Sequence, residues 1–236
     1  MGGGRFDGGS RQGPGRFAGP GRGQGGPGRG PVRAFSRPED DPPGTSRLFI
    51  AVPVADDVRR AVGQLMENVA GAPIDERQFG QPRWVRVDGL HLTLRFLGAT
   101  PDVRQQELGT VLTAACQGVA AFPITLRGAG AFPNPARPRV LWIGIADGAR
   151  QLGGLAERIN ARLQTLGWTP DDRPFEPHLT LARTDGVPGA ADFARRLVAA
   201  AADVQLGWQA DRVVLYRSVL GRGPARYEAV AEAPLD

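Results

Sequence analysis

Residues 89–98 (GLHLTLRFLG) and residues 175–184 (FEPHLTLART) contain the same tetrapeptide, His-Leu-Thr-Leu. The two copies begin at His91 and His178, the only two histidines of the chain. Side chains alternate between the faces of a strand, so the histidine and threonine of each copy share one face and the leucines share the other. The repeated motif predicts two equivalent strands, each with one polar and one apolar face.

The order of secondary structure is the same around both motifs. Each motif is preceded by a strand-like apolar segment and then a segment in which apolar residues recur at helical spacing. Another segment with helical spacing follows each motif. These segments are 47–54, 55–71 and 102–119 in the first half, and 139–147, 148–167 and 191–201 in the second. Further strand candidates are 124–133, 211–220 and 227–233. The sequence therefore predicts a bilobal, duplicated α+β fold, in which two antiparallel sheets line a central cleft, helices lie outside, and the His-x-Thr-x strands are related by a pseudo-twofold axis.

The composition changes sharply near residue 46. Residues 1–45 are mainly Gly, Pro, Arg and Ser with scattered Phe, and show no periodic apolar face. We predict a disordered Gly/Arg/Pro-rich arm over 1–45 and a folded two-lobed domain over 46–236. The arm could hold RNA weakly through arginine charge and phenylalanine stacking, or it could be a solvated extension without a specific partner.

The chain shows no membrane or secretion signal. It has no run of about 18 apolar residues, and its start lacks the apolar stretch of a secretory leader. We therefore expect a cytoplasmic protein, and a monomer. Cys116 is the single cysteine, which excludes an internal disulfide or a cysteine-based zinc site and is typical of a small core residue in a helix.

Arginine supplies all the basic charge. The 29 basic residues are all arginine and the net charge is +5. Guanidinium groups bind phosphate in a forked geometry, so this composition is compatible with an RNA end or a nucleotide as substrate. A lysine-free chain can contain neither a phosphate-binding P-loop nor the lysyl adduct of an ATP-dependent ligase.

The residue types in the motif suit phosphoester chemistry. Imidazole can act as acid or base near neutral pH, and two imidazoles in unlike environments can hold one proton between them. Threonine hydroxyls can donate hydrogen bonds to phosphate oxygens, where charge is stabilised during an in-line displacement. A metal hydrolase would need three or more clustered ligands, which two distant histidines do not supply. We therefore expect neither a metal nor a cofactor.

Several segments together resemble a known family. RLFIAVPV at the domain start, GLHLTLRFLG, VLWIGI, FEPHLTLAR and DRVVLYRSVL are similar to segments of the two-histidine phosphoesterases, and within them of the RNA 2′,3′-cyclic phosphodiesterases, historically called 2′-5′ RNA ligases. The resemblance covers nearly everything from Arg47 to the end, whereas the glycine-arginine arm departs from the usual pattern. It implies a bilobal fold, no metal, and hydrolysis of a 2′,3′-cyclic phosphate RNA end to a 2′-phosphomonoester.

The resemblance also implies residue roles. His91 would be the proton donor to the departing O3′, and His178 the proton acceptor from the attacking water. Thr93 and Thr180 would bind the phosphate, and Arg183 would lie close to it. The residue types alone do not say which histidine is acid and which is base.

Three neighbours of the motifs are further candidates. In a regular strand Arg95 lies on the same face as His91, which predicts that it binds the substrate. A role at the outer rim of the cleft is equally compatible with the sequence. The face of Arg183 depends on whether a bulge follows the second motif, and its alternative role is a surface salt bridge. Glu176 could orient the imidazole of His178 or remain solvated.

Other functions remain open at this stage. With a 5′-hydroxyl in place of water, opening of the cyclic phosphate would create a 2′-5′ linkage. The same motifs fit a phosphodiesterase for small cyclic phosphates, such as a cyclic nucleotide or an ADP-ribose cyclic phosphate. A non-catalytic RNA-end-binding protein is a third reading, but a binder gains little from two imidazoles when arginine is available.

Overall fold

The computed structural model describes residues 1, 41–71, 81–171, 174–185, 187–219 and 224–236. The chain divides into two units, residues 1–36 and 37–236, and the fold below belongs to the second. The predicted disordered arm lies outside the described residues, apart from Met1 and 41–45. The first strand begins at Thr45, one residue before the predicted domain start.

The described residues form nine strands and four α-helices. The first half contains β1 (Thr45–Pro53), α1 (Asp56–Ala70), β2 (Arg83–Trp84), β3 (His91–Pro101), α2 (Gln105–Cys116) and β4 (Phe122–Phe132). The second half contains β5 (Val140–Asp147), α3 (Ala149–Thr165), β6 (His178–Arg183), α4 (Ala190–Ala200), β7 (Gln205–Ala210), β8 (Arg212–Val219) and β9 (Arg226–Pro234). Each motif begins a strand, and the predicted repeat of strand, helix, motif strand and helix is confirmed.

The strands form two antiparallel sheets. The four-stranded sheet has the order β3-β1-β8-β9, and the five-stranded sheet has the order β2-β6-β5-β4-β7. Every neighbouring pair is antiparallel. Each motif strand therefore pairs with the first strand of its own half, β1 or β5, and the α+β prediction with two antiparallel sheets is confirmed.

The helices cover the sheets in an exchanged arrangement. α2 packs on β8 and β9 and against α3, which also contacts β3. α4 packs on β4 and against α1, which also contacts β7. Each sheet is thus covered by one helix from each half of the chain. The two motif strands, β3 and β6, belong to different sheets and contact each other.

Helix α1 shows how the local sequence sets its bounds. Asp56 and Asp57 lie in its first turn, where carboxylates interact favourably with the helix dipole. Its apolar stripe is buried, including Val62 and Met66. Gly71 adopts a left-handed conformation with φ 77° and donates its N–H to the Glu67 carbonyl, which ends the helix.

Two strands at the edges of the five-stranded sheet were not predicted from the sequence. β2 has two residues, too few for an alternating pattern, and β7 alternates around Trp208 in a segment without a clear apolar run. Cys116 is a buried core residue at the end of α2, as predicted. Among the described residues, no helix is long and apolar enough to cross a membrane.

Candidate active site

Each motif histidine is fixed by the main chain two residues before it. His91 Nδ1 lies 2.7 Å from the Gly89 carbonyl oxygen, and His178 Nδ1 lies 2.7 Å from the Glu176 carbonyl oxygen. Because a carbonyl can only accept, Nδ1 carries the hydrogen in both rings. Nε2 is therefore the nitrogen that each imidazole presents for proton transfer. Glu176 orients its neighbour through its backbone carbonyl, and its side chain is exposed, in agreement with the second of the two alternatives given above.

Aromatic rings surround His91. The Phe49 ring lies 4.7 Å away, centroid to centroid, and the Tyr227 ring lies 5.0 Å away, perpendicular to the imidazole, with an interplanar angle of 89°. Tyr227 in turn lies on Gly89, where an added Cβ would approach its ring to 2.9 Å. The glycine thus permits the contact between Tyr227 and the turn that holds the imidazole.

His178 has a similar but less crowded neighbourhood. The near-perpendicular ring here is that of Phe132, with centroids 5.0 Å apart, and the Trp142 ring lies 6.5 Å away. A Cβ at Gly130 would lie 2.5 Å from the Trp142 ring, so this ring also depends on a glycine. Both imidazoles are therefore wedged between aromatic side chains of their own sheet.

This burial controls the charge of the two imidazoles. Burial lowers the pKa of His91 to about 4, although its bond to Gly89 opposes the change. Burial also lowers the pKa of His178, where the bond and charge of Glu176 act in the opposite direction and the charge of Arg183 lowers it further. Both rings are neutral at pH 7 in the unliganded protein, with a lone pair on Nε2.

The motif threonines lie on the histidine side of their strands. Thr93 pairs with Ala51 and Thr180 with Trp142, and both threonines are half-buried. The motif leucines are fully buried in the hydrophobic core: Leu92, Leu94, Leu179 and Leu181. The predicted division into a polar face and an anchoring apolar face is therefore present in both strands.

A β-bulge follows the threonine in each motif. In the first half Thr93 pairs with Ala51 and Arg95 with Ile50, so Leu94 is an extra residue. The bulge reverses the alternation, because directly paired residues point to the same face. Arg95 accordingly shares the core face with Ile50. The prediction that Arg95 lies on the face of His91 is wrong, since it assumed a regular strand.

The surroundings of Arg95 agree with this correction. Its side chain is 5% exposed, and Nη1 lies 2.5 Å from an Asp171 carboxylate oxygen. Its Nη2 donates to the Thr169 carbonyl. Arg95 thus joins β3 to the loop before β6, and we leave it out of the proposed substrate site.

The same bulge occurs in the second half, where a different residue follows it. Trp142 pairs with Thr180 and Leu141 with Ala182, so Leu181 is the extra residue. Arg183 pairs with Val140, which returns it to the face of Thr180. The position equivalent to Arg183 in the first motif is Phe96, which pairs with Phe49. The two faces of the cleft therefore differ: one carries a guanidinium where the other carries an aromatic ring.

Arg183 is electrostatically coupled to both sheets. Burial lowers its pKa, while the charges of Asp185 and Tyr227 raise it and that of Arg83 lowers it. Tyr227 belongs to β9 of the other sheet and contacts His91, and the charge of Arg183 lowers its pKa while burial raises it. Sequence reasoning missed Tyr227 and Arg83 because no local pattern links β9 or β2 to the motifs.

Comparison with known proteins agrees with the fold. A sequence model of the 2'-5' RNA ligase superfamily matches residues 52–222. A protein of Aeropyrum pernix named RNA 2',3'-cyclic phosphodiesterase is 34% identical over 152 residues, which is 63% of this chain and 83% of that protein. A protein of the same name from Methanothermobacter thermautotrophicus is 29% identical over 175 residues, 74% of this chain and 90% of that protein.

Solved structures with the same fold support the assignment. TT0787 of Thermus thermophilus is 29% identical, with a TM-score of 0.61 over 80% of this chain and 97% of its own. E. coli LigT complexed with 3'-AMP is 25% identical, with a TM-score of 0.58 over 81% and 98% of the two chains. The duplicated fold and its two His-x-Thr strands are those of the two-histidine class predicted from the sequence. The chain belongs to the 2'-5' RNA ligase superfamily.

Proposed function

We propose that the protein hydrolyses the 2′,3′-cyclic phosphate end of RNA to a 2′-phosphomonoester, with His91 and His178 as its acid and base. The observation that carries the proposal is the matched pair of imidazoles. Each is held in the Nδ1–H tautomer by a 2.7 Å bond to the main chain, and each has a motif threonine on the same face of its strand. Two such half-sites supply both proton transfers of a phosphodiester hydrolysis.

The relatives support the choice of substrate. Several are named RNA 2',3'-cyclic phosphodiesterase, including those of A. pernix and M. thermautotrophicus. E. coli LigT has been crystallised with 3'-AMP, which is a ribonucleotide with a phosphate group on its 3′ oxygen. An RNA end with a phosphate bridging O2′ and O3′ is the substrate that fits both facts.

The reaction has one bond forming and one breaking at phosphorus. The oxygen of a water molecule attacks phosphorus while His178 accepts a proton from that water at Nε2. The P–O3′ bond breaks, and protonated His91 donates its proton to O3′. The products are a 2′-phosphomonoester and a 3′-hydroxyl, and a proton must return from His178 to His91 before the next cycle.

Phosphate binding prepares both rings for these roles. Thr93 and Thr180 can donate hydrogen bonds to the non-bridging oxygens, and the guanidinium of Arg183 can balance the charge that develops there. A bound phosphate anion also raises the pKa of a nearby imidazole, which opposes the effect of burial. Protonation of His91, whose pKa is about 4 without substrate, is thereby favoured when the substrate is present. Neither the attack of water nor the departure of O3′ requires a metal ion or another cofactor in this mechanism.

The same groups can open the cyclic phosphate with a different nucleophile. If the 5′-hydroxyl of a second RNA strand replaces water, His178 accepts its proton as the hydroxyl oxygen attacks phosphorus. The P–O3′ bond breaks, His91 protonates O3′, and a 2′-5′ linkage forms. Water is present at a far higher concentration than RNA ends, so we propose hydrolysis as the main activity and ligation as a minor one.

The first test is hydrolysis of a short RNA that ends in a 2′,3′-cyclic phosphate, in excess EDTA. We expect the wild type to form a 2′-phosphate end. His91→Ala and His178→Ala should each lower kcat by about 10²- to 10⁴-fold, the usual contribution of one acid or base. Undiminished turnover in either folded variant would overturn the paired mechanism, and binding without cleavage would favour the RNA-end-binding alternative.

A substrate with sulfur in place of O3′ separates the two roles. A thiolate leaves with much less help from an acid than an alkoxide, because a thiol is far more acidic than an alcohol. The loss caused by His91→Ala should therefore shrink with the sulfur substrate, whereas the loss caused by His178→Ala should persist. The reverse pattern would exchange the acid and base assignments while leaving the reaction in place.

A further inference from the structure

The edge of the five-stranded sheet places two arginines directly opposite each other. Arg83 on β2 pairs with Arg183 on β6, so both side chains point to the same face. Such partners have Cβ atoms about 5 Å apart, and like charges in this position destabilise a sheet. An anion bound between the two guanidinium groups would offset this repulsion. The arrangement therefore extends the phosphate-binding face from Arg183 to the edge of the sheet.

The cationic surface continues around Asp185. Its carboxylate lies 3.2 Å from Arg83 Nη2 and 3.9 Å from Arg139 Nε. One carboxylate thus faces two guanidiniums, and all three side chains are about half exposed or more. Such exposed pairs exchange partners easily, because they contribute little stability. The guanidiniums of Arg83 and Arg139 can therefore turn to a phosphate without breaking a strong contact.

A surface cavity of about 460 Å³ begins at the same place. Its walls include Arg137, Arg139 and Asp185, together with the start of α4 at Ala190. Arg137 is exposed and makes no ion pair with any residue that the structure describes. The cavity has the volume typical of a site for a nucleotide-sized ligand. The guanidiniums of Arg83, Arg139 and Arg137 thus form a continuous cationic surface from Arg183 to the wall of this cavity.

We propose that the RNA strand upstream of the cyclic phosphate crosses this rim, with its phosphates bound by Arg83, Arg139 and Arg137 and the next nucleotide in the cavity. The proposal rests on the proposed function and adds to it a binding path for the polymer. It makes the protein an enzyme that prefers oligonucleotides to mononucleotides. Binding of a single strand by exposed arginines contributes mainly electrostatic, sequence-independent affinity.

The test compares substrates of different length that carry the same end. Uridine 2′,3′-cyclic phosphate is compared with a uridine dinucleotide and tetranucleotide ending in the same group, at low and high salt. In the wild type we expect kcat/KM for the tetranucleotide to exceed that for the mononucleotide by about tenfold at low salt, with the advantage decreasing as salt rises.

Two double variants with the same change in net charge test whether the upstream RNA binds at this rim. Arg137→Ala/Arg139→Ala should bring the ratio of tetranucleotide to mononucleotide kcat/KM close to one. It should also reduce the slope of log kcat/KM against log salt concentration for the tetranucleotide by about 1.4, the value for two lost phosphate contacts to a single strand. Arg150→Ala/Arg162→Ala removes two exposed arginines of α3 and should leave the ratio unchanged.

The outcomes distinguish this inference from the function on which it rests. If the wild type hydrolyses all three substrates with equal kcat/KM, the RNA path is wrong and the catalytic proposal stands. If both double variants lower the ratio equally, the effect comes from net charge and the path is again wrong. If the wild type hydrolyses none of them, the proposed function fails and the path fails with it.

Discussion

The tautomer of each active-site imidazole is decided by a single main-chain carbonyl. In both half-sites the carbonyl lies two residues before the histidine, at Gly89 or Glu176. A neutral imidazole has one donor and one acceptor nitrogen, so this bond fixes Nε2 as the acceptor. Because the carbonyl belongs to the same chain segment as the ring, each half-site orients its own histidine.

The burial of His91 predicts a dependence of stability on pH. Its pKa falls from 6.5 in the unfolded chain to about 4 in the folded protein. Between these values the unfolded state binds the extra proton, so the free energy of unfolding falls as the pH is lowered from 6.5 to 4. Each unit of pKa difference corresponds to about 1.4 kcal/mol, which gives a loss of about 3 kcal/mol from this residue.

The measurement is urea unfolding of the wild type and His91→Asn at pH 7, 5.5 and 4. Carboxylates also titrate in this range, but they do so in both proteins. The wild type should lose about 3 kcal/mol more than the variant on going from pH 7 to pH 4. Parallel curves for the two proteins would show that His91 titrates normally in the folded state.

At the scale of single elements, the same bulge follows both motifs, but the residues that come after it differ. A bulge follows His-Leu-Thr in both β3 and β6, and it turns the next regular residue toward the core. That residue is Arg95 in β3 and Ala182 in β6. The residue after it returns to the cleft, where β3 has Phe96 and β6 has Arg183. The lobes thus have the same backbone, whereas their cleft faces carry different chemistry.

The buried Arg95 predicts a measurable cost when its partner is removed. Asp171→Ala should lower the free energy of unfolding by about 1–3 kcal/mol, because a buried guanidinium is left with the Thr169 carbonyl as its remaining described partner. Adding Arg95→Met should recover part of the loss, since an apolar side chain of similar length needs no partner. Urea denaturation of the single and double variants measures both effects.

A second ion pair serves as control for this prediction. Glu228 lies 3.8 Å from Arg217, and both side chains are more than a third exposed. Glu228→Ala should cost less than about 1 kcal/mol, as is usual for exposed pairs. An equal cost for Glu228→Ala and Asp171→Ala would mean that burial of Arg95 adds nothing to its pairing.

At the scale of the whole molecule, the exchanged helices connect the two sheets. α1 follows β1 in the chain but packs with α4 against the five-stranded sheet. The Trp208 indole on β7 also donates to the Pro53 carbonyl at the end of β1, at 3.1 Å. Neither sheet can lose its helices without disturbing the other. We therefore expect the described domain to unfold in one cooperative step.

Two native probes can test this cooperativity. Three of the four tryptophans, Trp84, Trp142 and Trp208, lie in the five-stranded sheet. The single cysteine, Cys116, is 1% exposed in α2, which covers the other sheet, and burial raises its pKa to about 11. Tryptophan fluorescence and pulsed thiol labelling of Cys116 should give the same urea midpoint. Separate midpoints would show that the two sheets, each with its covering helices, unfold independently.

The sequence by itself determined the secondary structure around the motifs and the class of fold. Period-2 and period-3.6 patterns predicted both motif strands and the four helices, because these signals are local and their apolar residues are buried in the final structure. The duplicated His-Leu-Thr-Leu pattern also predicted which side chains share a face up to the threonine. The catalytic roles of His91 and His178 stay predictions, as do phosphate binding by Thr93, Thr180 and Arg183.

Only the tertiary structure decided where the strands lose their regular alternation and which distant residues meet. The bulges arise from pairing with β1 and β5, so Arg95 and Arg183 cannot be assigned to faces from their own strands. Arg83 comes next to Arg183 through a two-residue edge strand, and Tyr227 reaches His91 from β9. These contacts join residues far apart in the chain, and their energy depends on packing that no local pattern encodes.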